Sequence, residues 1–277
     1  MSTASNLAPD AFVGTAAAYL RYRPPYPRAL LDDLLARTGA RGAGVLLDLA
    51  CGPGRVALDL APAFAAVWAV DLEPEMVALG QQEAARRGLG HVVWQVGRAE
   101  DLDLPAGSVD LITVGEAFHR LDQRLIARKA LHWLRPGGWL ATLGMDGIFA
   151  GREAWQQAAA AVARRWSERA SGAGIAQARP GNAVGPGADA RALQAAGFAD
   201  VQSHAFAEPR AWSPDAIVGY LRSTSVCSAR ALGEHSAPFE AELRAVLADE
   251  AQAEAAAEAG AFHETLRSGY TIGRRPD

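Results

Sequence analysis

The sequence predicts an α/β fold with a mostly parallel sheet and helices on both faces of it. Short apolar runs bounded by glycine alternate with amphipathic helical segments through the first half of the chain, which is the pattern of consecutive βαβ units. A glycine-rich turn joins the first of these runs to a helix. The chain has 277 residues, enough for a sheet that is buried on both faces. We therefore expect a single domain over residues 1–277.

Composition and charge narrow the classes of function. Half of the residues are hydrophobic and 21% are charged, which is typical of a globular protein. The net charge of −4 argues against a nucleic-acid partner, which usually requires a basic excess. Two cysteines exclude a disulfide framework, and the histidines show no metal-ligand spacing. Since there is neither an apolar run of about 18 residues nor a signal pattern, we expect a cytoplasmic protein with no membrane partner.

Apolar runs in the first half predict five strands, and turn residues between them predict helices. A leucine stripe begins the first helix, which ends at Gly39, and Pro74 begins a later helix that ends at Gly88. Two further helices are expected over residues 55–60 and 122–134. The strands are predicted at residues 45–49, 67–70, 92–96, 109–114 and 139–143.

The two ends of the chain are expected to cover this sheet. Residues 1–27 form an arm, in which Pro24, Pro25 and Pro27 forbid a regular helix. Residues 28–145 form the core, and residues 146–190 and 207–265 form lid elements around a pocket. Helices are predicted around Trp155 to Trp166, over 190–196, from Ser213 and from Ser236, and strands within 198–206 and at 270–272.

The most informative motif is the segment 48–54, which follows a predicted strand and precedes a helix. Gly52 and Gly54 permit a tight turn and a close approach of the backbone to a ligand. Asp48 can accept hydrogen bonds from a ligand's ammonium group or from the N–H groups of the turn itself. Asp71 ends the next strand, where a carboxylate is suited to the two hydroxyls of a ribose.

Two classes of cofactor fit this turn. Gly52-x-Gly54-x-x-Ala57 satisfies the dinucleotide fingerprint with alanine in the third place. The same turn resembles the first motif of the class I S-adenosylmethionine (SAM) methyltransferases, in their small-molecule (methyltransferase type 11-like) branch. Further segments resemble the later motifs of that family in the same order along the chain, and the resemblance is closest over residues 19–143. These segments are 70–71, 97–102, 109–112, 134–138 and 270–275.

The resemblance implies a Rossmann-like sheet of seven strands, mostly parallel, with an antiparallel closing strand, helices on both faces and helical lid insertions. It also implies SAM as the cofactor. Arg98 departs from the family, which often has aspartate there to receive the adenine amino group, so Glu100 or a backbone carbonyl would take that role. The expected cofactor-binding residues are Tyr22, Arg23, Asp48, Ala50, Gly52, Gly54, Asp71, Leu72, Met76, Ala99, Glu100 and Gly115.

The acceptor is expected above the fourth strand. Glu116 and His119 would share a face if this segment were a helical turn. His119 is then a base or a positioning donor supported by Glu116; the alternative is that His119 packs under the cofactor and Glu116 is solvated. In the arm, the segment around Tyr22 and Arg23 resembles the Tyr-Arg-Pro segment of small-molecule methyltransferases. The resemblance implies that both residues contact the methionine carboxylate or the acceptor. Tyr22 is also a candidate catalytic residue.

An enclosed pocket favours a small-molecule acceptor. We expect an aromatic or heteroaromatic natural-product intermediate that is methylated on carbon, nitrogen or oxygen, an indole-like ring carbon among them. A homodimer is left open. Two other functions remain: an NAD-dependent oxidoreductase and a non-catalytic SAM-binding protein.

Overall fold

The computed structural model describes residues 11–40, 42–172, 187–253 and 261–277. They contain one seven-stranded sheet with the order β3-β2-β1-β4-β5-β7-β6. The first five strands are parallel, and β7 lies antiparallel between β5 and β6. The strands are β1 Val45–Leu49, β2 Ala66–Asp71, β3 Val92–Val96, β4 Val109–Gly115, β5 Leu134–Met145, β6 Ala199–Trp212 and β7 Phe262–Arg274. The predicted sheet, including its antiparallel closing strand, is thus confirmed.

Ten α-helices lie in the described residues. None of them is long and apolar enough to cross a membrane. Their bounds are α1 Ala16–Tyr22, α2 Arg28–Thr38, α3 Arg55–Leu60, α4 Pro74–Arg86, α5 Gln123–Trp133, α6 Ala154–Ser171, α7 Ala188–Ala196, α8 Pro214–Arg222, α9 Ala229–Leu232 and α10 Ser236–Ala253.

Alternation along the central strands gives the sheet two buried faces. Leu46 of β1 packs in a core with α2 and α3, whereas its neighbour Leu47 packs on the opposite face with α5 and α7. Successive side chains of a strand point to opposite faces, so a continuous apolar run fills both cores. Packing on both faces therefore fixes the positions of the strand ends, and with them the start of the turns that follow.

The lid helices form a third core of their own. Trp155 is fully buried among the side chains of α6, α8 and α10, and Trp166 is nearly fully buried, so both are core residues. The Trp155 indole N–H donates to the carbonyl oxygen of His263 in β7 (3.2 Å), which joins the lid to the last strand.

The N-terminal arm differs from the prediction. Prolines do keep residues 24–27 extended, but the residues before them form α1, whose carboxyl end is followed by Arg23. The expectation of an arm without a helix was wrong because the prolines restrict only the residues near them. Parts of the predicted arm and lids, residues 1–10, 173–186 and 254–260, lie outside the described residues.

Candidate functional site

The glycine-rich turn after β1 uses backbone conformations that few residues adopt. Ala50 has φ 51°, Gly52 has φ 56° and Gly54 has φ 82°. A left-handed alanine is uncommon, and such residues concentrate at functional turns. A Cβ atom at Gly54 would overlap the Trp94 ring, whereas a Cβ at Gly52 would meet no atom within 4 Å. A glycine at position 54 is therefore required by the packing of Trp94, whereas the position of a Cβ at Gly52 faces open space.

Asp48 is the buried carboxylate at the end of β1. Its Oδ1 accepts from the Thr113 hydroxyl (2.7 Å), which lies opposite it on β4, and its Oδ2 accepts from the Ala57 N–H (3.1 Å). Burial raises the pKa of Asp48 to about 7, even though both hydrogen bonds lower it. A cationic ligand group beside this carboxylate would lower that pKa again.

Asp71 is the corresponding carboxylate at the end of β2. Its Oδ2 accepts from the Gly52 N–H (2.7 Å), and its Oδ1 accepts from the Glu73 N–H (2.9 Å). Burial raises its pKa as well. Each of its oxygens has a further lone pair, so the carboxylate can hold the turn and still accept from ligand hydroxyls.

A cleft opens where these strand ends meet the arm. It is lined by Tyr19, Arg23, Pro24, Tyr26, Asp48, Cys51, Arg55, Val56, Gly115, Glu116 and Met145. Of the predicted site residues, the structure brings Arg23, Asp48, Gly115 and Glu116 together in this lining. Sequence analysis did not assign Tyr19, Tyr26 and Arg55 to the site. Tyr19 could have been found from its spacing of four residues to Arg23, but no local pattern indicated Tyr26 or Arg55.

Two buried polar atoms in the cleft have no hydrogen-bond partner among the described residues, and they test whether a cofactor fits. They are the hydroxyl of Tyr26 and Nε of Arg55. An Nη atom of Arg55 donates to the carbonyl oxygens of Tyr19 (3.1 Å) and Leu20 (2.6 Å), which fixes the guanidinium under α1. The Tyr26 hydroxyl and Arg55 Nε can donate to a ligand carboxylate, while the Asp48 carboxylate can accept from a ligand ammonium. Together they are complementary to the α-amino and α-carboxylate groups of an amino acid. The residues present therefore fit the methionyl end of SAM.

Arg23 and Tyr22 fasten the arm to α8. Arg23 Nε donates to the Ser223 hydroxyl (2.8 Å), and its guanidinium lies over the rings of Tyr19 (5.0 Å) and Tyr220 (4.6 Å). Tyr22 packs against Gly219, where a Cβ would overlap its ring, and it is not part of the cleft lining. Arg23 thus faces the cleft, while Tyr22 faces the lid.

Glu116 and His119 are not arranged as the sequence predicted. Glu116 has φ 55° and precedes the short 3-10 helix Phe118–Arg120, so the two residues do not share a helical turn. Glu116 is directed into the cleft, where its Oε1 accepts from the Met145 N–H (2.6 Å). Burial raises the pKa of Glu116, opposed by Arg23. His119 is exposed, and its Nε2 lies 3.3 Å from Arg120 Nε.

The remaining predicted residues lie beyond Asp71, along the edge where β2 and β3 end. Leu72 is 39% exposed, an apolar surface beside the proposed ribose position, while Met76 and Ala99 are buried. Glu100 accepts from the Asp122 N–H (3.2 Å) and is 3.6 Å from Arg98. This carboxylate is therefore already engaged by the protein.

A second cleft lies at the opposite edge of the sheet. Its lining includes Gly44, Asp110 and Arg135, at the amino ends of β1 and β4. Asp110 already accepts from the Val45 N–H (2.7 Å) and forms an ion pair with Arg135. Ligands of open α/β sheets bind at the carboxyl ends of the strands, so the first cleft is the candidate site.

Comparison with known proteins agrees with this geometry. Residues 46–138 match the family model described as a methyltransferase domain. The chain is 33% identical over 218 residues to nocamycin O-methyltransferase of Saccharothrix syringae, covering 73% of this chain and 75% of that protein. It is 35% identical over 129 residues to an uncharacterised methyltransferase of Mycobacterium tuberculosis, and the match spans 47% of this chain and about half (49%) of the length of that relative. The structure is similar to the YcgJ protein of Bacillus subtilis, with a TM-score of 0.56, 18% identity and coverage of 91% of this chain and 100% of that one.

The chain belongs to the class I SAM-dependent methyltransferases, as its motifs predict. The cofactor of this family is SAM. The glycine turn by itself also matches the dinucleotide fingerprint, but membership of this family favours SAM over a dinucleotide.

Proposed function

We propose that the protein transfers the methyl group of SAM to a small-molecule acceptor in the cleft. The observation that carries this proposal is the pair of unpartnered donors, Tyr26 and Arg55, buried beside Asp48 at the carboxyl edge of the sheet. SAM, when bound, supplies an electrophilic methyl group on its sulfonium. The residues of the chain hold, align and shield the reacting groups, and proximity and exclusion of water contribute much of the rate in such a site.

Each cofactor-binding residue then has a chemical role. Asp71 accepts from the two ribose hydroxyls, and Asp48 faces the methionyl ammonium. Tyr26 and Arg55 donate to the methionyl carboxylate. Gly52 leaves room for the cofactor, since a side chain there would point into open space on the ligand side.

Glu116 is the proposed base wherever the acceptor must lose a proton. It lies in the cleft lining, and burial raises its pKa, which brings it closer to the neutral range in which a general base works best. His119, the other member of the predicted pair, is exposed and adjoins Arg120. Tyr22 supports the lid through Gly219, which favours a structural role over a catalytic one.

The proposed acceptor is an aromatic or heteroaromatic natural-product intermediate. The ring of Tyr19 lies in the cleft lining and offers a surface for a flat molecule, whereas Tyr220 is buried beneath Arg23. The name of the Saccharothrix relative favours oxygen as the methylated atom. Methylation of nitrogen or of an indole-like ring carbon is the alternative.

The arm 1–27 and the lids 146–190 and 207–265 are proposed to enclose the acceptor over the core 28–145. Arg23 and Tyr22 support this, because both join the arm to the lid helix α8. A cytoplasmic location and a homodimer stay predictions.

Titration calorimetry and a transfer assay test the proposal. We expect saturable binding of S-adenosylhomocysteine and none of NAD. We also expect transfer of isotope-labelled methyl from SAM to members of an aromatic metabolite panel, with mass spectrometry identifying the methylated atom. Binding of NAD in place of S-adenosylhomocysteine would indicate an oxidoreductase. Binding of S-adenosylhomocysteine with no transfer to any phenol, carboxylic acid, amine or indole would indicate a non-catalytic binding protein.

A further inference from the structure

We propose that the acceptor carries a carboxylate, and that Arg120 binds it. This inference rests on the proposed function, and it names the chemical class of the molecule that occupies the acceptor side of the cleft. It follows from the position of Arg120, from its uncommitted donors and from the balance of charge around Glu116.

Arg120 lies beside the cleft, close to Glu116 and Arg23 of its lining. It ends the 3-10 helix that follows β4, and its guanidinium stacks on the Phe12 ring at 4.5 Å. The charges of Glu116, Arg23 and Tyr19, all in the cleft lining, act on its pKa, which burial lowers. Arg120 is therefore a partly buried cation beside the cleft and is set apart from the freely solvated arginines of the surface.

The donors of Arg120 are less committed than those of its neighbours. Arg23 donates to Ser223 and Tyr220, and Arg55 donates to two backbone carbonyls of α1. Arg120 uses Nε toward the His119 ring, and within the described ranges we find no hydrogen bond from its two Nη atoms to another residue. A planar fork with both terminal nitrogens available is the geometry that binds a carboxylate in bidentate fashion.

The charge balance points the same way. Three guanidinium groups, those of Arg23, Arg55 and Arg120, lie in or beside a cleft that contains two carboxylates. These are Asp48 and Glu116, and burial raises the pKa of both. SAM adds a sulfonium, an ammonium and one carboxylate, and so it increases the positive charge. An anionic acceptor offsets that excess, whereas a cationic acceptor adds to it.

The methionyl carboxylate of SAM is the rival ligand for Arg120. Tyr26 and Arg55 provide unpartnered donors nearer to Asp48, within the same cleft lining that lacks Arg120. We therefore assign those donors to the cofactor and Arg120 to the acceptor.

The test compares two probes that differ only in charge, indole-3-acetate and indole-3-acetamide, each titrated into protein saturated with S-adenosylhomocysteine. We expect the acetate to bind about tenfold or more tightly than the amide, as a charge-assisted pair requires. Arg120→Gln should reduce that preference to within about threefold, and Arg120→Lys should retain part of it, because lysine keeps the charge without the fork. Arg124→Gln, at an exposed position of α5, is the matched control and should retain the full preference.

The binding of S-adenosylhomocysteine separates the outcomes. If Arg120→Gln weakens the binding of S-adenosylhomocysteine itself, Arg120 belongs to the cofactor and the inference is overturned. If the wild-type protein binds S-adenosylhomocysteine but shows no preference for the acetate, or binds neither probe, the inference is overturned while the proposed function stands. If the wild-type protein does not bind S-adenosylhomocysteine at all, the proposed function itself fails.

Discussion

The proposed cofactor and acceptor sides of the site are built in different ways. On the proposed cofactor side, Asp71 accepts from the backbone N–H groups of Gly52 and Glu73, so turns at the strand ends hold this carboxylate. On the proposed acceptor side, Arg23 is held by Ser223, two hundred residues along the chain. Backbone turns anchored by a packed sheet are rigid, whereas contacts between side chains of an arm and a lid depend on docking. Substitutions on the first side should therefore change cofactor affinity, and those on the second should change turnover.

The largest expected loss in the rate of methyl transfer comes from Glu116→Gln. If Glu116 removes the acceptor's proton, methyl transfer should fall by about 10²–10⁴-fold, the span of a positioned base. The wild-type rate should rise with pH as Glu116 loses its proton, at a pH above the ordinary range of a glutamate because burial raises its pKa. Initial rates across a pH series measure both effects.

The matched variant for Glu116→Gln is His119→Gln, at the exposed position three residues later. It should cost less than about tenfold in rate, since the base would remain. Equal losses in the two variants would contradict the assignment of the base to Glu116. A change in S-adenosylhomocysteine affinity in Glu116→Gln would contradict the division between the two sides.

Asp48 should make the stability of the ligand-free protein depend on pH. Its pKa is about 7 in the folded protein, against an ordinary value of about 3.9, and the difference corresponds to roughly 4 kcal/mol. Between these values the folded state holds a proton that the unfolded chain has lost. The free energy of unfolding should therefore fall as pH rises from about 4 to about 7.

Denaturant unfolding at several pH values measures this slope, and Asp48→Asn should flatten it. Asp101→Asn, an exposed acidic position, is the control and should leave the slope unchanged. A slope that persists in Asp48→Asn would assign the titration to another group.

Asp71→Ala should weaken cofactor binding without a comparable loss in acceptor binding. Each hydrogen bond to a charged group contributes about 1.5–3 kcal/mol, so the affinity for S-adenosylhomocysteine should fall at least about tenfold. The variant also leaves the Gly52 and Glu73 N–H groups without their acceptor. Calorimetry against Asp101→Ala as control tests this, and an unchanged affinity would refute the ribose assignment.

The two glycines of the turn should respond differently to alanine. In Gly54→Ala the new Cβ overlaps Trp94 and the backbone is left-handed as well, so the free energy of unfolding should fall by about 2–4 kcal/mol. In Gly52→Ala no atom lies within 4 Å, so the loss should be limited to the left-handed backbone, about 1 kcal/mol, while S-adenosylhomocysteine affinity falls. Denaturant unfolding of both variants measures the loss of stability, and calorimetry measures their affinity for S-adenosylhomocysteine. A larger loss of stability in Gly52→Ala, with the loss of affinity confined to Gly54→Ala, would contradict this assignment.

The same contrast explains what the sequence could predict. β1, α3 and the turn between them were predicted at their observed bounds, because apolar runs and glycines act locally. Tyr26 and Arg55 were missed because only the docking of α1 brings them together. Spacing placed Glu116 and His119 on one helical face, but the positive φ of Glu116 turns the chain before the 3-10 helix begins. Tertiary assembly, not local pattern, therefore determines both the donors that the arm region adds to the proposed cofactor site and the position of Glu116.

A crystal structure with S-adenosylhomocysteine tests the central claim most directly, namely that backbone-held carboxylates at the strand ends bind the cofactor beneath the arm. The ribose hydroxyls should lie within hydrogen-bond distance of Asp71, and the ligand's amino group should lie at Asp48. Its carboxylate should meet the hydroxyl of Tyr26 and Nε of Arg55, the two donors that lack a described partner. A ligand that makes no contact with Asp71 and Asp48, or that occupies the cleft at Asp110 and Arg135, would contradict the claim.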